Sequence, residues 1–305
     1  MACPKASEKA LESASMLKRG LVLMLAVIAA VPLVAQRGAP LPPSVRLYVI
    51  DCGKLESTDP GRFDLKREEM ATTDMSVGCY LVAHPRGTLM WDTGAVPDAM
   101  LQSDTGPTRH RLALPNGQER FVTTVKPLAA QVASAGYAPG DITYLAVSHY
   151  HYDHTANSNL FARATWLVRK VERDAMFGPK ASELTVPANY SALDKSKTTI
   201  IERDDQDVFG DGSVVIKSAP GHTPGHQVLF LKLAKTGPVV LSGDLYHYPE
   251  ERSLKRIPTF DTDREQTRAS RTALDAFLQK AGAQLWIQHD IKAFSGLKKA
   301  PAYYD

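Results

Sequence analysis

The sequence carries little excess charge. Thirty-six Lys and Arg stand against 33 Asp and Glu, a formal net of +3 at pH 7. Lys5, Lys9, Lys18 and Arg19 against Glu8 and Glu12 put two of those three charges into the first 35 residues. The remainder is near neutral, which excludes a basic footprint for nucleic acid. Cysteine is scarce: only Cys52 and Cys79 follow the N-terminal segment, and they lack the spacing of a metal site. Each lies in an apolar segment, and the two strands can be neighbours. They read either as a disulfide, which export would permit, or as two buried free thiols. One long uncharged apolar run exists, Leu21–Ala35, short for a membrane span and holding Pro32. There is no internal repeat and no low-complexity segment.

That run follows Lys18-Arg19, the pattern of a secretory signal with a basic start and an apolar middle. Residues 1–35 are therefore expected to be a signal peptide, or residues 16–35 if the chain starts at Met16. A single-span anchor is the alternative. No Cys follows the run, which speaks against a lipoprotein. The Pro-rich residues 36–44 read as a linker, and residues 45–305 as one hydrolase-sized domain. The expected location is the periplasm or the outside of the cell, with no membrane contact beyond the export signal.

Histidine is also sparse, nine in 305 residues, yet three fall in Ser148-His149-Tyr150-His151-Tyr152-Asp153-His154. The apolar run Tyr144-Leu145-Ala146-Val147 leads into them as a buried strand. On an extended strand end His149 and His151 point to one face; Asp153 and His154 come after a turn and can face a second ion. Imidazole with carboxylate suits zinc and its first-row neighbours. A cluster this tight cannot close a metal site alone, so further ligands should stand at later strand ends. Three such ends exist. Val214-Val215-Ile216 leads to Pro220-Gly221-His222-Thr223-Pro224-Gly225-His226, Pro238-Val239-Val240 to Gly243-Asp244, and Leu285-Trp286-Ile287 to Gln288-His289.

Together these motifs resemble the metallo-β-lactamase superfamily: His-x-His-x-Asp-His, then His, Asp and His in order. The resemblance runs from about Val45 to His289. It implies an α/β protein, a four-layer αβ/βα sandwich with the active site at one edge. The other patterns agree. Arg46–Ile50 is a first strand, with residues 53–75 polar and irregular. Ser76–Val82 and Thr88–Trp91 form a hairpin about His84-Pro85-Arg86-Gly87. Residues 127–135 and 263–282 read as helices, the latter with Leu274, Phe277, Leu278 and Ala281 on one stripe. Residues 172–200 read as an insertion, either a substrate wall or a surface excursion. Asp92-Thr93-Gly94 and Asp104-Thr105-Gly106 look like aspartic-protease motifs, but the second follows no apolar strand and lies too close to the first. The resemblance gives Asp92 a supporting role.

The resemblance implies a three-His site of His149, His151 and His222, a second site of Asp153, His154 and His289, and Asp244 bridging both. His226 supports the ligands. Two divalent ions are expected, zinc first, with cobalt, manganese or iron as other fits. They would bring a shared water to hydroxide at neutral pH, polarise a carbonyl and take the leaving oxyanion. A bridging Asp matches glyoxalase II enzymes, lactonases and phosphodiesterases better than zinc β-lactamases. Asp74–Val82, Gly87–Gly94 and Asp263-Arg264-Glu265-Gln266 most resemble the N-acyl-homoserine lactonase branch. The expected function is therefore ring opening of a small-molecule acyl-homoserine lactone, quorum quenching, with Asp153 and Asp244 at the reacting centre. The alternatives are a β-lactamase, arylesterase or organophosphate hydrolase on the same site, or a zinc-binding domain without catalysis. One departure stands out. That branch places a Tyr three residues after the bridging Asp, where this chain has His247, flanked by Tyr246 and Tyr248. His247 is the candidate donor or proton shuttle, with Tyr246 the other candidate. Oligomeric state stays open, a homodimer among the options.

Overall fold

The computed structural model describes residues 40–56, 59–101, 106–179 and 184–305. The expected signal peptide and the first part of the linker lie outside the described residues, as do Asp104 and Thr105 of the second Asp-Thr-Gly. No described helix is long and apolar enough to cross a membrane.

Strand periodicity builds the sandwich. Strand β1 (Arg46–Glu56) sends Leu47 and Val49 to one face and Tyr48 and Ile50 to the other. Strand β2 (Met75–His84) does the same with Tyr80 and Val82 against Cys79 and Leu81. Both faces are apolar because both are covered. The first sheet continues with β3 (Gly87–Trp91), the hairpin β4 (Thr108–Ala113) and β5 (Glu119–Thr124), then β6 (Tyr144–Ala146), β7 (Thr165–Val168) and β8 (Thr198–Ile200). Its order is β4-β5-β1-β2-β3-β6-β7-β8, parallel from β3 to β8. The second sheet holds β9 (Asp205–Asp207), β10 (Val214–Ser218), β11 (Gln227–Leu233), β12 (Gly237–Leu241) and β13 (Gln284–Trp286), in the order β13-β12-β11-β10-β9.

Three apolar clusters separate four layers. The central one joins Leu47, Val49, Val82 and Trp91 of the first sheet to Ile216, Leu229 and Val239 of the second. A second cluster packs the outer face of the first sheet on helix α1 (Leu128–Ser134) through Leu128 and Val132. A short helical turn, α2 (Tyr152–Thr155), and helix α3 (Lys170–Phe177) follow on the chain. A third cluster sets Val228, Phe230 and Val240 under Leu274 and Leu278 of the long helix α5 (Arg264–Ala281), which follows α4 (Pro249–Ser253). Asp263 caps α5 by accepting from the Gln266 amide, and Gly282 ends it in the left-handed conformation. Helix α6 (Ile291–Gly296) closes the order. This is the expected αβ/βα sandwich.

The differences are local. Strand β1 runs on to Glu56, into the stretch read as irregular, because a register shift between Asp51 and Lys54 carries the pairing past the bend at Gly53. The β4–β5 hairpin carries mostly polar side chains and gave no strand signal. Cys52 and Cys79 form a disulfide between neighbouring strands, one of the two readings left open.

Candidate metal centre

The ligand residues converge where strands of both sheets end. Strand β6 stops at Ala146, so His149 lies beyond the strand rather than on its extended end. A tight turn and α2 then place His151, Asp153 and His154 within four residues of one another. From the second sheet, β10 leads to His222, β12 to Asp244 and β13 to His289. Two glycines permit this crowding. Gly221 has φ +133°, and a Cβ there would stand 2.2 Å from the backbone nitrogen of Thr267 in α5. Gly243 has φ +49°, and a Cβ there would stand 2.7 Å from His226 Nε2.

Two groups result. His149, His151, His222 and Asp244 form one; Asp153, His154, Asp244 and His289 form the other, with donor atoms within 4.8 Å of one another and every residue buried. In the first, His149 Nε2 and His222 Nε2 lie 2.9 and 3.0 Å from His151 Nδ1. In the second, His154 Nε2 and His289 Nε2 each lie 3.0 Å from Asp244 Oδ1. Asp244 belongs to both groups, its Oδ2 being 3.6 Å from His149 Nε2 and 3.5 Å from His222 Nε2.

The donor set fits two divalent ions. His154 Nε2, His289 Nε2 and Asp244 Oδ1 are buried and have no hydrogen-bond partner. They approach closely without hydrogen-bond alignment, and an ion between them would satisfy all three. The outward nitrogens are fixed. His222 Nδ1 donates to Asp261 Oδ1 at 2.8 Å, His154 Nδ1 to Asp92 Oδ2 at 2.9 Å, and His289 Nδ1 to the Ser76 carbonyl at 2.6 Å. Each bond sets a tautomer whose Nε2 lone pair faces inward. Burial holds His149, His151 and His222 well below the usual imidazole range. Burial also opposes the charge on His154, but Asp244, Asp92 and Asp153 drive it well above that range.

Asp92 is a hub at this floor. Besides His154 it accepts from the Ser148 amide at 2.6 Å, the Ser148 hydroxyl at 3.0 Å and Gln288 Nε2 at 2.7 Å. His226 binds across the bridge: Nδ1 donates to the Ala219 carbonyl, and Nε2 accepts the Asp244 amide at 3.0 Å. Three residues of the floor escaped the sequence reading. Asp261 holds His222. Gln288 ties Asp92 to the Gly78 carbonyl. Glu172 of α3 accepts from the Tyr150 and Gly225 amides and the Thr223 hydroxyl, joining both ligand loops. Burial pushes Glu172 up to about 7. Only the Asp next to Phe260 and the Glu opening an amphipathic turn mark two of them in sequence, and neither is distinctive.

A cavity of about 390 Å³ opens onto His151, Asp153, Asp244 and His289. Glu56, Asp59, Arg62, Glu119 and Arg120 give it polar walls; Leu55, Phe63, Met75, Phe121, Leu184 and Phe260 give it apolar ones. Residues 118–121 come from the β4–β5 hairpin, which the sequence did not reveal. Leu184 is the one described residue of the 172–200 stretch on the wall of this cavity.

His247 reaches this cavity, with Nε2 3.1 Å from Asp244 Oδ2. Tyr246 does not. The backbone is extended there (φ −141°, ψ +134°), so alternate side chains part. Tyr246 turns into the apolar cluster under α5, beneath the Arg271 guanidinium at 4.2 Å. Contrary to the expectation from sequence, Tyr246 is therefore not on the wall of this cavity. Tyr248 also turns away, its hydroxyl donating to the Thr73 carbonyl.

The sequence profile of the metallo-beta-lactamase superfamily matches residues 72–282. The chain belongs to this superfamily. Among curated proteins it is 28% identical over 268 residues to the N-acyl homoserine lactonase AttM of Azorhizobium caulinodans, covering 86% of this chain and 99% of that one. It is 28% identical over 262 residues to the N-acyl homoserine lactonase of Bacillus cereus, covering 82% and 98%. A solved N-acyl homoserine lactone hydrolase, with N-hexanoyl-L-homoserine bound at its catalytic metal centre, superposes with TM-score 0.70 at 24% identity, covering 85% and 99%. A dizinc quorum-quenching lactonase, AidC, superposes with TM-score 0.60 at 20% identity, covering 88% and 96%. These two structures share its fold.

Proposed function

We propose that the chain is a dinuclear metal hydrolase that opens the ring of N-acyl homoserine lactones, with zinc as the native ion. One observation carries the reading. The seven ligand residues form two groups sharing Asp244 at the floor of the cavity, in a chain whose curated relatives are lactonases along nearly their whole length. Two ions held there would bring water toward ionisation at neutral pH and polarise an ester carbonyl.

The chain's own residues do the rest. Asp244 gives one oxygen to each group and fixes their spacing. Asp92, Asp261 and the Ser76 carbonyl hold three imidazoles with Nε2 turned inward. The apolar wall at Phe63, Met75 and Phe121 suits an acyl chain, and the polar wall suits the amide and lactone oxygens. Lactones suit this centre chemically, because the leaving alkoxide stays tethered within reach of a cation.

Export is part of the proposal. Lys18-Arg19 and Leu21–Ala35 have the order of a signal peptide, and the Cys52–Cys79 disulfide suits an oxidising compartment. Proton release on ring opening tests the activity. The panel holds acyl-homoserine lactones of two chain lengths, a simple γ-lactone, an aryl ester, an organophosphate triester and a β-lactam. Turnover of the acyl-homoserine lactones at the highest kcat/KM is the expected result. Turnover of the β-lactam, ester or phosphotriester with silence on every lactone overturns it.

A further inference from the structure

Most polar groups on the cavity wall are already engaged. Glu56 accepts two bonds of 2.8 Å from Arg109, and Glu119 is paired with Arg111. Asp59 accepts the Gly61 amide at 3.0 Å, and the Arg62 guanidinium lies over the Phe260 ring at 4.7 Å. His247 is taken at both nitrogens, with Nδ1 3.1 Å from Glu251 Oε1 and Nε2 3.1 Å from Asp244 Oδ2. Arg120 of β5 differs. It is half-buried, and among the described residues two bonds hold it: Nη1 donates to the Glu119 carbonyl at 2.9 Å and Nη2 to Gln118 Oε1 at 2.6 Å. A guanidinium carries five N–H groups in a rigid fork, so this one is aimed and still has donors to give.

Tyr152 is its neighbour on this wall. Burial and then Asp153 push the Tyr152 hydroxyl well above the usual phenol range, and the Arg120 guanidinium pulls it back. The ligand run itself fixes where Tyr152 stands. It lies on α2 between His151, of the three-His group, and Asp153, of the other. Its amide donates to the Leu184 carbonyl at 2.9 Å, and its side chain is buried. A guanidinium and a phenol thus meet beside the metal-binding residues. The substrate class supplies a matching group. When the lactone carbonyl sits at the metal-binding residues, the acyl amide hangs from the adjacent ring carbon, a few bonds away. Its carbonyl oxygen is an acceptor that every N-acyl homoserine lactone carries and a plain γ-lactone lacks.

We propose that Arg120 and Tyr152 bind the amide carbonyl oxygen of the acyl chain and so select amide-bearing lactones over plain ones. The inference rests on the lactonase reading and adds which part of the substrate the wall recognises. Few convergent polar groups in a partly apolar cavity are what fixes a ligand's orientation. Arg120 comes from the β4–β5 hairpin, so that polar hairpin becomes a specificity element.

The test compares two lactones. Arg120→Met keeps the reach of the side chain and removes its donors; Tyr152→Phe keeps the ring and removes the hydroxyl. The zinc-loaded full chain and each variant are given N-hexanoyl homoserine lactone and a γ-lactone whose alkyl chain is of similar length but carries no amide. Calorimetry measures the affinity for ring-opened N-hexanoyl homoserine. The expected result for Arg120→Met is a kcat/KM ratio, amide lactone over γ-lactone, lowered about tenfold or more, as for a lost bond from a charged donor. The change falls on KM more than on kcat, and product affinity drops by a similar factor. Tyr152→Phe moves both readings the same way by less. Equal loss on the two lactones, or a ratio and a product affinity at the parent value in a folded variant, overturns the proposal. A parent that opens no lactone overturns the lactonase reading instead, and product affinity then decides this inference alone. A parent that does not bind the product either overturns both.

Discussion

Two ends of the same sandwich each bury a His against an Asp, and only one is a metal centre. At the far end His84 Nε2 lies 2.8 Å from Asp211 Oδ2, its Nδ1 accepts the Arg86 amide at 3.0 Å, and its ring stacks on Phe209 at 4.2 Å. At the metal end His154 Nδ1 meets Asp92 at 2.9 Å, but Nε2 has no hydrogen-bond partner and faces two other unpartnered atoms. A His–Asp pair thus says little by itself. Both nitrogens of His84 are consumed inside the fold, and the pair ties the β2–β3 turn to the β9–β10 turn. The second nitrogen of His154 is left for an ion. Unsatisfied atoms converging on one point separate a site from a strut.

The largest effect expected from this contrast is on Asp244. Asp244→Ala removes the shared ligand and should lower kcat by about 10³-fold or more, since stabilisation by a metal ion is worth several kcal/mol; a stopped-flow proton-release assay reads it. Asp92→Ala comes next. It strips the partners of Ser148, His154 and Gln288 at once, and leaving buried charge uncompensated costs roughly 3–5 kcal/mol. Denaturant unfolding of the metal-free protein should show that loss, and metal content should fall with it. His84→Ala should cost about 1–3 kcal/mol, as for a buried hydrogen-bonding group, while metal content and kcat stay at the parent value. A drop in metal content there would break the comparison. The smallest effect is acid sensitivity of the metal-free protein. Burial lowers His226 to about 3, from an ordinary 6.5. Below 6.5 the unfolded chain takes a proton that the fold refuses, so stability present above about 6.5 is lost as pH falls toward 3. His226 should contribute roughly 2 kcal/mol to the drop between pH 6.5 and 5, and His226→Gln should lessen that drop in denaturant midpoints without abolishing it, because His149, His151 and His222 are held below the imidazole range too.

The ligand positions were legible because each has two marks, a metal-binding side chain and an apolar strand that delivers it. His149 to His154, His222, Asp244 and His289 all have both. The layers were legible through short apolar strands, buried on both faces in β1 and β2, and the stripe on α5. The outer frame was not. Asp261, Glu172 and Glu251 are single acids in unremarkable surroundings, and only the folded chain brings them to His222, to the two ligand loops and to His247. The β4–β5 hairpin was missed for another reason: its residues are mostly exposed or half-exposed, so no apolar alternation announces them. The direction of Tyr246 against His247 depended on one extended residue, which composition cannot fix.

The most direct test of the central claim is activity against metal equivalents. Metal-free protein is titrated with zinc while ring opening of an N-hexanoyl homoserine lactone is followed by proton release. A two-ion lactonase centre predicts activity that rises until two ions are bound per chain and then holds level, with Asp244→Ala flat throughout. Full activity at one ion per chain, or no lactone opening at two, would contradict it.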